Sequence, residues 1–249
     1  GRMFTARLGD ALSMHGRLPD ATHAFGVRID LGAAAAGEPP ALGISVGGRT
    51  PLLDAGGWLD LVERDSGGSG SLVSRVDLHA DDFLFGGRHF SDMQLAVDNA
   101  AAATLVSLDG AAIAGRLEIP KADLAGRGIG AKFTRVHWPD TPAGGGEGGA
   151  LADVGPASLP PLHIAVDDFR LGSASFGSAQ FDSHPAGGGM RVDALKSQSP
   201  NVTMSASGDW TGSASDNRSH LVIELSAQKL GHMMEALGFP GLIDGGATH

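Results

Sequence analysis

The chain has 249 residues, no cysteine and a formal net charge of −10. This length suffices for one elongated domain or two compact ones, and the missing cysteine excludes disulfides, thiol catalysis and cysteine-ligated metals. The negative charge disfavours phosphate backbones, so no nucleic-acid partner is expected. With 39 glycines and 5% aromatic residues, the composition favours turns and β structure over long helices.

The N-terminal part alternates apolar and polar residues, as strands with one apolar face do. Short strands are expected at residues 4–8, 25–31 and 42–46. Residues 51–64 predict the first helix, because their large apolar residues recur at helical spacing. Residues 65–71 are rich in glycine and serine and predict a flexible linker.

One stretch of the sequence occurs twice. Residues 76–86 (VDLHADDFLFG) align without a gap with residues 162–172 (LHIAVDDFRLG), and Phe90 then matches Phe176. Internal similarity at a long period indicates stacked β units that share one core. Further strands are expected at residues 112–119, 132–136, 180–181, 189–195, 202–210 and 221–225.

Two other segments differ from this pattern. Residues 139–156 contain few large apolar side chains and predict a mobile loop. Residues 228–237 (QKLGHMMEAL) predict an amphipathic helix, with Gly238 where a C-terminal cap is expected. No apolar run reaches the roughly 20 residues that a transmembrane helix needs, and we interpret the chain as a piece of a longer protein.

The predicted fold class is mostly β: an elongated, curved antiparallel sheet of repeated meanders, forming a β-groove, with one or two short α-helices. We expect four parts. They are strands and a short helix that end a preceding repeat (1–71), a first β-groove repeat (72–138), a flexible loop (139–158), and a second repeat with a terminal helix (159–249).

A short motif suggests a hydrolase. Gly43, Ser45 and Gly47 fit the G-x-S-x-G pattern of a nucleophile elbow. However, Ile44 and Val46 continue an alternating pattern, so Ser45 is better explained as the polar face of a strand. We expect no catalytic residues, and an enzyme remains a minor alternative.

Two aspartate pairs, Asp81-Asp82 and Asp167-Asp168, occupy the same place in the two repeat copies. They are candidate metal ligands or an acid/base pair. Adjacent residues on a strand point to opposite faces, so a structural role at a β-bulge or strand end is favoured. The histidines are scattered without ligand spacing, and we expect neither a metal nor a cofactor.

Several motifs occur in a fixed order: residues 159–162 (LPPL), 166–172 (VDDFRLG), 176–177 (FG), 208–210 (GDW) and 230–246 (LGHMMEALGFPGLIDGG). Together they resemble the C-terminal part of the YhdP family, large AsmA-like proteins of Gram-negative envelopes. Residues 42–49 (LGISVGGR) with 53–59 (LDAGGWL) resemble the stretch just upstream in that family. The resemblance spans nearly the whole chain and is most specific from residue 159 onward.

The resemblance implies a repeating-β-groove, bridge-like lipid transfer protein related to TamB. Such a protein is tethered to the inner membrane and crosses the periplasm towards the outer membrane, with phospholipid as its cargo. The implied localisation is therefore the periplasm. The implied partners are phospholipid and, through parts outside this chain, the two bacterial membranes.

The strand pattern supplies candidate side chains for such a groove. In the first copy the expected lipid-groove lining is Val76, Leu78, Phe83, Phe85, Leu95, Leu117 and Ile119. In the second copy it is Leu162, Ile164, Val166, Phe169, Leu171, Phe181, Met204, Leu221, Ile223 and Leu225. The alternative is a structural or adhesion β-module, in which the same side chains pack a dry core without a lipid channel.

Overall fold

A computed structural model describes residues 2–32, 36–57, 72–139, 155–213 and 216–236. Within these ranges the chain forms a 14-stranded sheet in which the strands are neighbours in chain order. By contacts it divides into two compact units, residues 1–85 with 89–111, and residues 86–88 with 112–249. The predicted mostly β fold is confirmed.

The first unit contains the strands of the N-terminal half. Their bounds are β1 (Met3–Leu8), β2 (Leu12–Arg17), β3 (Gly26–Leu31), β4 (Gly43–Asp54), β5 (Val73–Phe85), β6 (Arg88–Asn99) and β7 (Ala103–Asp109). Strand β5 shows why these segments are strands. Val76, Leu78 and Ala80 are buried, whereas the intervening Asp77 is exposed.

The second unit contains the remaining strands and the short helices. The strands are β8 (Ile113–Pro120), β9 (Ile129–Trp138), β10 (Leu162–Leu171), β11 (Ala174–Ala186), β12 (Gly189–Gln198), β13 (Thr203–Ser213) and β14 (Asp216–Ser226). Helix α1 is Leu124–Arg127, helix α2 is Leu230–Ala236, and a 3₁₀ turn spans Pro156–Ser158. None of the helices in the described ranges is long and apolar enough to span a membrane.

Most neighbouring strands pair antiparallel, as predicted, but the sheet also contains parallel pairs. Strands β3 and β4, β4 and β5, and β9 and β10 pair in parallel. The chain passes between the strands of each parallel pair through a long connection instead of a tight turn, which is the requirement for parallel neighbours. Strands β5 and β10, which carry the duplicated sequence, each pair in parallel with the strand that precedes them in the chain.

Tight turns join neighbouring strands elsewhere. Gly187 and Gly188 connect β11 to β12 with φ values of 56° and 81°. Gly86 and Gly87 connect β5 to β6 with φ values of 60° and 68°. Positive φ at both central residues defines the type I′ turn, whose twist matches that of the flanking strands and which glycine adopts without strain.

The predicted helix at residues 51–64 is wrong over residues 51–54, although residues 55–57 are helical as predicted. Strand β4 continues to Asp54, and Leu53 pairs with Phe83 of β5. The partner strand thus overrides the helical spacing. The remainder of that helix beyond residue 57, and the predicted linker at 65–71, lie outside the described residues.

The other predicted strands are confirmed, and most of them are longer in the structure than predicted, although β3 begins at Gly26 and β8 is shifted by one residue. The terminal helix is confirmed over Leu230–Ala236, while Gly238 lies outside the described residues. Most of the predicted loop at 139–156 also lies outside them. Its last residue, Pro156, instead begins the 3₁₀ turn and is fully buried.

Candidate functional site: one apolar face of the sheet

Strands β8 to β14 present apolar side chains on one common face of the sheet. Residues paired across neighbouring strands share a face, so the register defines rows that cross the strands. One row is Leu117, Ala131, Ile164, Phe181, Leu195, Ala206 and Ile223. The next row is Gly115, Phe133, Val166, Ala179, Ser197, Met204 and Leu225. We call this surface the apolar face.

The other residues expected to line the second repeat lie on the same face. Leu162 begins a row that continues through Ser183, Val192, Gly208 and Leu221. Phe169 lies opposite Val136 and Leu171 opposite Trp138. Ile119 lies two residues beyond Leu117 on β8, and the period of two therefore directs it to this face.

The apolar face is only partly covered. Ile164 and Phe181 are half-buried, and Leu171, Leu221 and Ile223 are 47%, 37% and 55% exposed. Soluble proteins seldom leave contiguous apolar surface open to water unless it serves a partner or ligand. Val166, Val192 and Ala206 of the same face are buried, so the face is covered at these positions and open to water at Leu171 and along β14.

Short elements cover parts of the face. Helix α2 places Met233 in a cluster with Val202 and Ala227, against which Leu225 of the apolar face packs. The 3₁₀ turn contacts β11, β12 and β13. Its Pro156 is fully buried, as are Ser183 of β11 and Met190 of β12 on the apolar face.

The candidate lining of the first unit is more enclosed. Val76, Leu78 and Phe83 are buried, and Phe85 stacks on Phe83 with ring centroids 6.2 Å apart. Leu95 is half-buried and pairs with a leucine of β7. The structure thus closes the interior around these β5 side chains, unlike the open row that ends at Ile223.

A β-bulge keeps the apolar face continuous along β10. The register against β11 shifts between Val166 and Phe169, so both side chains stay on the apolar side while Asp167 and Asp168 absorb the extra residue. The bulge expected at this aspartate pair is confirmed. For Asp81 and Asp82 the described pairing with β4 shows no such shift.

The bulge also places Asp168 between the imidazole of His137 and the guanidinium of Arg170. His137 Nε2 lies 2.7 Å from Asp168 Oδ2, and Arg170 Nη2 lies 3.0 Å from the same oxygen. Partial burial acts to raise the pKa of Asp168, but hydrogen bonds from His137 and Arg170 outweigh it and hold that pKa below its usual value. The carboxylate therefore stays ionised and ties β9 to β10.

The opposite face of the same strands is polar, and pairs of cationic or imidazole groups with carboxylates link its strands. The pairs are His163 with Asp182 (2.9 Å), His184 with Asp193 (2.7 Å) and Arg191 with Asp209 (2.9 Å). Exposed pairs of this kind contribute about 0–1 kcal/mol each, so they specify register more than they stabilise the fold.

The family model described as the YhdP protein matches residues 2–249. The chain belongs to the YhdP family. No curated protein and no solved structure matches it.

In this YhdP-family chain, the G-x-S-x-G motif does not form a nucleophile elbow. Ser45 lies within β4, where it pairs with Arg28 and Arg75, and the strand runs on to Asp54. A sharp strand-to-helix turn is therefore missing at this serine. Among the described residues, no group of three or more His, Asp or Glu side chains is arranged to hold a metal ion.

Sequence reasoning missed part of the apolar face of this YhdP-family chain. Phe133 and Leu195 lie in its central rows but were not among the expected lining residues. Both lie beside register shifts. Phe133 pairs with Gly115, where the register of β8 with β9 shifts after Ala114, and Leu195 lies where the register of β12 with β13 shifts after Val192. A shift changes which residues of a strand share a face, and a simple period of two does not reveal it.

Proposed function

We propose that this chain is a segment of a bridge-like protein that shields phospholipid acyl chains during transport between the inner and outer membranes. The observation that carries the proposal is the partly exposed apolar face of β8 to β14. Membership of the YhdP family supports it. The proposal places the protein in the periplasm, and the shielding is passive, without catalytic residues.

The energetics explain why a continuous apolar surface is needed. Each methylene exposed to water costs about 0.8 kcal/mol, so an acyl chain of about 16 carbons costs about 13 kcal/mol. A row of apolar side chains that runs without interruption across neighbouring strands removes this cost at every position along the row. The headgroup stays in water, where its charge is solvated.

Strand β14 offers a matched pair of positions to test the proposal. Ile223 lies on the apolar face opposite Ala206, whereas Val222 lies on the other face opposite Ser207. The two side chains are 55% and 60% exposed, so a charge at either position has similar access to water. They differ in the face of the sheet that they occupy.

Ile223→Glu should reduce the phospholipid that co-purifies with the chain by about tenfold, because the carboxylate interrupts the apolar row. Val222→Glu should leave it unchanged. Lipid extracted from equal amounts of folded protein is quantified by mass spectrometry. Loss of lipid from both variants, or from neither, contradicts the proposal. A complete absence of lipid from the unaltered chain favours the structural or adhesion module.

A further inference from the structure

Two like charges face each other on the polar side of the second unit. Arg116 of β8 and Lys132 of β9 are direct partners in the antiparallel register, and both are exposed. Directly opposed residues have Cβ atoms about 4.5–5.5 Å apart, and like charges at that distance destabilise a sheet. Among the residues that the structure describes, neither side chain has a carboxylate partner.

Other cationic and imidazole groups on the same face do meet carboxylates, as Arg191 meets Asp209 and His163 meets Asp182. The nearest carboxylate along β8 is Glu118, and Arg127 of α1 lies 3.6 Å from it. The positive charge of the Arg116–Lys132 pair is therefore not neutralised within the described part of the chain.

The surrounding sequence reinforces the positive charge. Between residues 112 and 138 there are five Lys or Arg residues and two Asp or Glu residues, although the whole chain carries a formal net charge of −10. A local positive patch on an acidic protein attracts anions only where that patch can reach them, because the rest of the surface repels them.

The pair lies on the side of the sheet away from the apolar face. Leu117 and Ala131 are the next paired residues along the same strands and belong to the apolar face, so Arg116 and Lys132 project in the other direction. The pair is therefore separate from the surface proposed to hold acyl chains. It cannot contact the headgroup of a lipid whose tails lie on that surface.

We propose that Arg116 and Lys132 bind the phosphate of an anionic phospholipid headgroup at a membrane surface. Arginine presents a fork of N–H donors that matches phosphate oxygens, and lysine adds a point charge beside it. An oxyanion between the two side chains also cancels their mutual repulsion. Charge complementarity favours this occupant, because an electrically neutral surface leaves the repulsion in place.

Binding to vesicles tests this proposal with a charge-matched control. The full chain is sedimented with vesicles of phosphatidylcholine alone or mixed with phosphatidylglycerol. Each cation near an anionic surface strengthens binding to that surface. The double variant Arg116→Ser with Lys132→Ser should therefore bind the mixed vesicles about tenfold more weakly, or weaker still. The control, Arg7→Ser with Lys229→Ser, removes the same charge from exposed positions elsewhere and should bind as the unaltered chain does.

Two further measurements separate loss of the site from loss of the fold. The thermal midpoint of the Arg116→Ser, Lys132→Ser variant should equal or exceed that of the unaltered chain, because a repulsion has been removed. Arg116→Lys keeps the charge but removes the fork of donors, so its binding should lie between that of the unaltered chain and that of the double variant. Binding should also fall as salt is added, since exposed charges are screened.

Several outcomes would overturn the proposal. They are no preference of the unaltered chain for phosphatidylglycerol vesicles, and equal losses in the double variant and its control. Displacement from the vesicles by an equal concentration of inorganic phosphate would assign the site to the free ion. Tighter binding to polyglutamate than to the vesicles would assign it to an acidic protein partner.

Discussion

At the scale of single residues, the ion pair between Arg28 and Asp30 links charge to stability. Both residues are on β3, Arg28 Nε lies 2.9 Å from Asp30 Oδ2, and the Asp30 side chain is nearly inaccessible to water. The hydrogen bond from Arg28 holds the pKa of Asp30 below its usual value, against the opposing effect of burial and with help from the Gly37 N–H. The folded chain therefore favours the ionised carboxylate.

This lowered pKa sets the direction of a pH effect. The unfolded chain has an Asp pKa of about 3.9, so the stabilisation is fully present above about pH 4. It is lost as the pH falls through the lower pKa of the folded state. Asp30→Asn should lower the free energy of unfolding by about 1–3 kcal/mol at pH 7, because it leaves Arg28 without its carboxylate.

The same substitution should leave a smaller difference at acid pH. Urea unfolding of the unaltered chain and of Asp30→Asn at pH 7 and pH 3 measures this, with Asp10→Asn at the exposed β1–β2 turn as the control. A constant difference between the unaltered chain and Asp30→Asn at both pH values would show that ionisation of Asp30 does not contribute.

At the scale of elements, Gly208 determines how closely β13 and β14 approach. A Cβ atom at Gly208 would lie 2.0 Å from the carbonyl oxygen of His220 and 2.8 Å from Cα of Leu221. Both are backbone atoms of β14, so they cannot rotate out of the way. Gly208 lies in the row that ends at Leu221, and this close approach helps to keep the apolar face continuous.

Gly208→Ala should therefore destabilise the chain by about 1–3 kcal/mol, because the methyl group pushes β14 away from β13. Gly130→Ala in β9 is the matched control, since a Cβ atom there meets nothing within 4 Å. Thermal unfolding measures both variants. Equal midpoints for the two variants would mean that the close approach at Gly208 is not a constraint.

Most strands were predictable from the alternation of apolar and polar residues, but β2, β6 and β7 were not predicted. Strand β2 was not predicted, because Gly16 interrupts its apolar positions. The structure shows that the ring of Phe4 lies over Gly16, where a Cβ atom would come within 2.1 Å of it. The apolar group at that place thus comes from Phe4 of β1. The sequence of β2 alone does not indicate it.

The candidate site was predictable to a similar degree. Strand periodicity selected Ile164 and Ile223, which the register places in one row although they are far apart in sequence. Which strands pair in parallel depends on the long connections, and these have no periodic signal. The charge of Arg116 opposite Lys132 likewise becomes visible only once β8 and β9 are in register.

At the scale of the whole molecule, the proposed function requires a sheet face that can be extended for a long ligand, and the strand order provides a way to extend it. Each long connection returns the chain in parallel, so that a further group of strands joins the sheet in chain order. Adding strands in this way lengthens an apolar row without changing its character. A row of this kind suits a chain-like ligand better than a compact one.

Site-specific photo-crosslinking in cells tests the central claim most directly. A photoreactive amino acid at Phe169 or Ile223, on the apolar face, should form covalent adducts with phospholipid, whereas the same group at Val222 on the opposite face should not. Mass spectrometry of the purified adducts identifies what was captured. Adducts at Phe169 and Ile223 that contain only protein, or lipid captured equally at Val222, would contradict the account.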